Sequence, residues 1–338
     1  MQEPVLIGKS AAVRNLLAFI KKAAKSDANV LLLGETGVGK ELAALAIHNF
    51  SSRKNNPFIK INCANLNENL LESELFGHKK GAFTGAFFDK PGLIEEAEGG
   101  TFFLDEIADI SAYLQAKLLA VIEKRETRRL GDNKYRQLDV RFISATNSNL
   151  LDLIRKEKFR KDLFYRINIL SFDIPPLRER KEDIRLLALY FLRQINEKKI
   201  IKKKIKKAAL EILLSYDYPG NIRELENIIT RGYILSSSRS ISKKDIILER
   251  HTENGNSNAG QIIFEKILKD SSDFWEKVHK PFLCRELNRN EVKYIIVKGL
   301  SLTQGSYIKL LPLFNTAEDK KNYRKFMRFL RTHRLQPE

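Results

Sequence analysis

Seven consecutive residues, Gly34-Glu35-Thr36-Gly37-Val38-Gly39-Lys40, have the GxxxxGK spacing that closes a backbone loop around phosphates. The glycines let N–H groups curl toward an anion, a following helix adds its dipole, and Lys40 reaches the terminal phosphate oxygens. Glu41 stands where a Ser or Thr hydroxyl usually ligates magnesium, so the generic pattern is imperfect. Downstream, the apolar run Phe102-Phe103-Leu104 ends in Asp105-Glu106. Asp105 is expected to hold Mg²⁺, directly or through water, and Glu106 to polarise an attacking water, the two tasks of nucleoside triphosphate hydrolysis. Asn147, after Thr146 at the end of another apolar run, is placed to sense a γ-phosphate beside Asp105. Arg160 and Arg166 are of the type that neutralises a phosphoryl-transfer transition state, often from a neighbouring subunit.

These groups need a rigid frame. Val30-Leu31-Leu32-Leu33, Phe58–Ile61, Thr101–Leu104 and Val140–Ser144 read as strands buried on both faces, with helical patterns between them. Residues 1–173 are therefore expected to form a three-layer α/β domain with a mostly parallel sheet. Ile174-Pro175-Pro176-Leu177 breaks the pattern, and residues 174–250 read as a small helical subdomain with helices over 181–199, 204–216 and 221–236 and a short one near 243–248. The polar, Gly- and Asn-rich stretch 251–260 reads as a linker, and 261–338 as a further helical unit.

With 338 residues, 43% hydrophobic and 30% charged, the chain has the composition of a soluble globular protein and excludes a disordered chain or a collagen-like repeat. No apolar run is long enough for a membrane span, and the N-terminus lacks a secretory pattern. A cytoplasmic location and no membrane partner are expected. Cys63 and Cys284 lie far apart, outside any metal-ligand spacing, and read as two reduced thiols.

The hexapeptide Gly81-Ala82-Phe83-Thr84-Gly85-Ala86 follows Glu74-Leu75-Phe76-Gly77-His78. With GETGVGKE (34–41), INCANL (61–66), GGTFFLDEIAD (99–109), FISATN (142–147), FRKDLFYRIN (159–168), IPPLRERKEDI (174–184) and YPGNIREL (218–225), the sequence resembles the bacterial enhancer-binding proteins, the AAA+ activators of sigma-54 RNA polymerase. The resemblance spans about residues 4–250. It implies an AAA+ three-layer α/β/α P-loop core with a helical lid, ATP and Mg²⁺ as cofactors, and assembly into a ring, expected to be a hexamer. Glu41 after the lysine is what such proteins show. The resemblance further implies that Gly81, Ala82, Phe83, Thr84, Gly85 and Ala86 form a surface loop in which Phe83 and Thr84 touch sigma-54. Asn62 would hold Glu106 back until the γ-phosphate is sensed, Arg160 and Arg166 would act in trans, and Arg223 would read the nucleotide from the lid. Departures are mild: Tyr218 where Trp is common, Ala108 where Gly is common, and Lys161 where Glu is common. The pattern starts almost at Met1 with no sensory domain ahead of it, so control in trans or a longer parent chain is expected.

Members of this family usually end in a helix-turn-helix that binds enhancer DNA, and the motif here is not the standard one. Helices are expected over 289–300, 306–314 and about 319–333, the second shortened by Pro312, with a turn at 315–318. On the last, Tyr323, Phe326, Met327 and Leu330 would face a core while Lys321, Arg324, Lys325, Arg328 and Arg331 line the opposite face. A one-signed face after a turn is the layout of a recognition helix in the DNA major groove. Residues 261–338 hold 16 Lys+Arg against 9 Asp+Glu, part of a net charge of +18. Lys198–Lys207 reads as a solvated lysine-rich surface. Two rival readings are an AAA+ remodeller of another target and a DNA-binding regulator uncoupled from ATP hydrolysis.

Overall fold

Four apolar runs of four to six residues fold as expected into strands: β1 (Val30–Leu33), β2 (Phe58–Asn62), β3 (Thr101–Asp105) and β4 (Arg141–Thr146). A fifth, β5 (Leu170–Asp173), completes a sheet of order β2-β3-β4-β1-β5, parallel throughout. The computed structural model describes residues 6–248, 258–269, 273–283, 287, 289–333 and 335. β5 was not anticipated because Leu-Ser-Phe-Asp alternates apolar and polar residues, the mark of an edge strand with one open face. β1, β3 and β4 are buried on both faces, with Leu31, Leu32, Phe102, Leu104, Ile143 and Ala145 fully enclosed, whereas β2, expected to be buried on both faces, is the other edge strand, with Lys60 exposed and only Ile61 buried. Burying each large apolar side chain contributes about 1.5–3 kcal/mol, which anchors the strand ends that carry the site. The strands end together at the edge that carries the phosphate loop after β1, Asp105 at the end of β3 and Asn147 just beyond β4.

The lid holds helices Lys181–Glu197, Lys207–Ser215 and Asn221–Leu235 around Leu187, Leu213, Tyr218, Leu225 and Ile229. The helix expected from Lys204 starts later: Lys204–Ile205 is a short strand paired in parallel with Ser240–Ile241. Lys203, inside the lysine-rich stretch, is buried, with Nζ donating to the carbonyls of Tyr233 (2.8 Å) and Ser236. Its position caps the end of the helix Asn221–Leu235, where carbonyls lack partners.

Residues 1–248 and 249–338 are separate compact units. Residues 251–257 of the expected linker lie outside the described residues, but the helix Asn258–Lys269 already includes the linker's last three positions. Among its described residues the second unit is helical, with further helices Arg289–Leu302, Tyr307–Leu313 and Lys320–Thr332. Phe274 is the centre of its core, stacked 5.3 Å from Phe314 and edge-on to Phe326 at 5.1 Å. Among the described residues no helix is long and apolar enough to cross a membrane. Cys63 is a buried free thiol whose pKa burial pushes up to about 12, which removes it from nucleophilic roles; Cys284 lies outside the described residues.

Candidate functional site

The phosphate loop leaves β1 and enters the helix Lys40–Asn49, with Gly39 at the N-cap at φ 104°. The Lys40 Nζ donates to the carbonyls of Gly34 (2.8 Å) and Glu35 (3.3 Å) and lies 3.6 Å from the Glu106 carboxylate. Anionic phosphate oxygens are stronger acceptors than these carbonyls, so the lysine is poised to exchange them.

Glu106 sits in the left-handed region at φ 51°, ψ 52°, a conformation that costs a residue with a side chain about 1–3 kcal/mol. That turn brings its carboxylate back over the strand ends, where Oε2 accepts from the Asn147 N–H at 3.1 Å. The Asn147 side chain in turn donates to Thr36 Oγ1 at 2.9 Å, joining the end of β4 to the phosphate loop. Asp105 accepts from the Glu106 N–H (3.1 Å) and the Asn62 amide (3.3 Å). Asn62 thus holds Asp105 and not Glu106, because β2 and β3 set Asn62 opposite Asp105 in register while Glu106 has already turned out of the strand.

Burial first, and then the neighbouring Glu106 charge, hold the Asp105 carboxyl above the usual carboxylate range. A carboxylate so placed favours a cation beside it, and the donor set fits Mg²⁺. Among the described residues no three His, Cys, Asp or Glu side chains form a metal cage. Mg²⁺ characteristically takes one or two carboxylates and completes its shell with water and substrate phosphates. Glu41, in the usual hydroxyl position, lines the cleft and pairs with Lys60.

These residues wall a cleft of about 560 Å³, within the range of small-molecule sites. The core contributes Thr36, Gly37, Lys40, Asp105, Glu106 and Asn147, and the lid contributes Ile222, Arg223 and Glu226. Val38 is buried beneath the loop.

The hexapeptide lies on the segment between the two-residue strands Gly77–His78 and Lys90–Pro91, which pair antiparallel. Lys79–Asp89 (2.5 Å) and the Gly81 N–H to Ala86 carbonyl bond (2.9 Å) close its base. Ala82 packs beside Gly131, Ala86 is buried, and Thr84 and Gly85 are exposed. Phe83 is 45% exposed and rests edge-on against His78 at 4.9 Å. Phe87 and Phe88, just past the hexapeptide, are 79% and 65% exposed, and the motif alone gave no reason to single them out.

Two family models match this arrangement: the sigma-54 interaction domain over residues 6–173 and the AAA+ ATPase lid domain over 178–261. The chain belongs to the sigma-54 interaction family of AAA+ proteins. The transcriptional regulatory protein ZraR of Salmonella typhimurium is 48% identical over 244 residues, which are 72% of this chain and 55% of that protein. The Nif-specific regulatory protein of Klebsiella pneumoniae is 47% identical over 249 residues, 74% of this chain and 47% of that protein. The chain thus spans about half the length of the curated relatives it matches. The structure of NtrX from Brucella abortus in complex with ATP superposes with a TM-score of 0.68 at 29% identity, covering 97% of this chain and 70% of that one.

Within this family member, Arg160 and Arg166 do not line the cleft of their own subunit. Arg160 is exposed and forks onto Asp162 (2.6 and 3.0 Å), and Arg166 pairs with Glu123 at 2.8 Å. In the second unit, Lys321, Arg324, Lys325, Arg328 and Arg331 are all exposed on one helix capped by Asp319. Phe326 and Leu330 are buried as expected, and Phe329 joins them. The Lys325 ammonium lies 3.8 Å from the Trp275 ring centroid, a cation–π contact that engages one of the five.

Proposed function

We propose that this chain is a sigma-54-dependent transcription activator that hydrolyses ATP with Mg²⁺ in a hexameric ring. The observation that carries the reading is the Lys40–Glu106–Asn147–Thr36 network, closed on Asp105 at the mouth of a nucleotide-sized cleft. The ATP-bound NtrX relative and the regulators ZraR and the Nif-specific protein support it.

In this reading the N–H groups of residues 34–40 and the Lys40 ammonium bind the phosphates. Asp105 would hold Mg²⁺, which supplies charge neutralisation across the phosphates when bound. Glu106 Oε2 lets go of the Asn147 N–H and orients water at the γ-phosphate, while the Asn147 amide turns from Thr36 toward the γ-oxygens. Arg160 and Arg166 exchange their own carboxylates for the phosphates of the neighbouring subunit. Arg223 faces the nucleotide from the lid, and the state of the cleft is carried to the Phe83–Thr84 loop, which presses on sigma-54 and converts closed promoter complexes to open ones. The test is in vitro transcription from a sigma-54 promoter. Open complexes that depend on both this protein and hydrolysable ATP are expected, and their absence with active polymerase would refute the reading.

The sigma-54 contact extends beyond the hexapeptide to Phe87, since a side chain so exposed on such a loop is an apolar anchor awaiting a partner. Phe87→Ser is expected to keep ATP turnover and lower open-complex yield about tenfold, the loss of one moderate interface anchor.

The exposed basic helix Lys320–Thr332 is proposed to bind enhancer DNA, with arginines supplying base contacts and lysines mostly phosphate contacts. If Lys321 neutralises one phosphate, Lys321→Ala weakens binding to all sequences and reduces the slope of log affinity against log salt by about one. Anisotropy titrations over a KCl series measure it.

A further inference from the structure

Glu35 is an odd residue for a loop that must surround phosphates, because its carboxylate adds negative charge where the ligand brings more. Its contacts lie on the other side. Oε1 and Oε2 receive a fork from Arg178 at 2.6 and 2.9 Å, and Oε2 also accepts from the Asn221 amide at 3.0 Å. The Arg178 guanidinium is the main reason the Glu35 carboxyl is held below its ordinary range. Arg178 and Asn221 belong to the lid side of the Ile174–Leu177 break.

Asn221 is fully buried and reaches in three directions. Its Nδ2 also donates to the Thr36 carbonyl (3.1 Å), its Oδ1 accepts from the Leu177 N–H (2.8 Å), and its backbone sits at φ 54°. Asparagine tolerates the left-handed region better than most residues with a side chain, and at the first residue of the helix Asn221–Leu235 it is held there by contacts to both the core loop and the lid. The next residue donates its N–H to the Gly37 carbonyl at 3.0 Å, and Arg180 donates to the Val38 carbonyl at 3.0 Å. Lid and phosphate loop approach so closely at this point that a Cβ on Gly37 would lie 2.4 Å from the Gly220 carbonyl oxygen and 3.2 Å from the Arg223 Cβ.

We propose that Glu35, Arg178 and Asn221 form a positioning relay that ties the phosphate loop to the lid and sets Arg223 over the cleft before nucleotide arrives. Glu35 acts on the lid, and its part in nucleotide affinity is indirect. The relay deepens the nucleotide-site reading above and rests on it. Because every contact of the relay exists in the empty protein, it lowers the ordering cost of binding and leaves the chemistry of the bound state alone. Loss of such an interaction raises KM with little change in kcat, whereas a general loss of structure lowers kcat through the folded fraction.

The experiment compares the parent with Glu35→Ala, Arg178→Ala, the double variant, and Glu35→Gln as a variant of the same shape. Steady-state ATP hydrolysis gives KM and kcat, and fluorescent-ADP titration gives affinity without turnover. Each single alanine variant is expected to raise KM and weaken ADP about tenfold with kcat within about twofold, in line with removal of uniform binding energy. The double variant is expected to be no worse than the worse single one, because the two groups share one interaction. Glu35→Gln, which keeps the Asn221 acceptor, is expected to fall between parent and Glu35→Ala. Unchanged KM and ADP affinity in both singles would overturn the relay. So would multiplying effects in the double variant, or a fall in kcat at constant KM with a lowered Tm. A parent that binds no ATP refutes the nucleotide reading itself and the relay with it, whereas a parent that binds and variants that match it refute the relay alone.

Discussion

With glutamine at position 106, the protein binds ATP at least as tightly as the parent and turns it over about 10²–10⁴-fold more slowly, the span attributed to a positioned proton-accepting group. Glutamine has the same shape and retains an oxygen for the Asn147 N–H that Glu106 holds at 3.1 Å. It cannot take a proton from water. Removing a negative charge 3.6 Å from Lys40, beside the expected γ-phosphate, also relieves a repulsion that the parent carries into its complex. The strained backbone at φ 51° comes from the strand-to-turn geometry, so the side chain stays aimed at the same place. Affinity from fluorescent nucleotide and turnover from phosphate release separate the two effects. A variant turning over within threefold of the parent would remove Glu106 from the reaction.

The second large effect divides the motor from its output. Thr84→Ala is expected to keep ATP hydrolysis within about twofold and to abolish sigma-54 open-complex formation, since a loss confined to a partner contact leaves the chemical step untouched. Thr84 is exposed on a loop whose residues contribute nothing to the nucleotide cleft, and no hydrogen bond of the loop's base passes through its side chain. The companion variant Phe83→Ala removes the ring that leans on His78 and is expected to act in the same direction. Transcripts from a sigma-54 promoter, read beside phosphate release in the same mixture, report both outputs. Unchanged transcription would refute the loop's assignment.

Much of this was legible in one dimension because it depends on spacing along a single segment. The phosphate loop, the acidic pair at a strand tip and the GAFTGA hexapeptide are all contiguous, and the structure places the first two at the ends of β1 and β3. What escaped depends on who stands opposite. Asn62 meets Asp105 through the β2–β3 register, which no local pattern discloses. Glu35 reads as part of a phosphate cradle until Arg178 and Asn221, far along the chain, are seen on its carboxylate. β5 escaped because Leu-Ser-Phe-Asp has only two apolar residues, whereas the other edge strand, β2, carries three in Phe-Ile-Lys-Ile. Phe87 and Phe88 escaped for the opposite reason: aromatic residues usually go inside, and only the folded loop leaves these two out.

The core built around Phe274 draws its buried members, among the described residues, from the second unit alone, from Phe264 to Leu335. A unit that closes its own interior carries the means of its own folding, so its surface can be rewritten over evolutionary time while that interior is kept. Under the function proposed above, selection could then alter the DNA address and the ATP-driven engine as two separate traits.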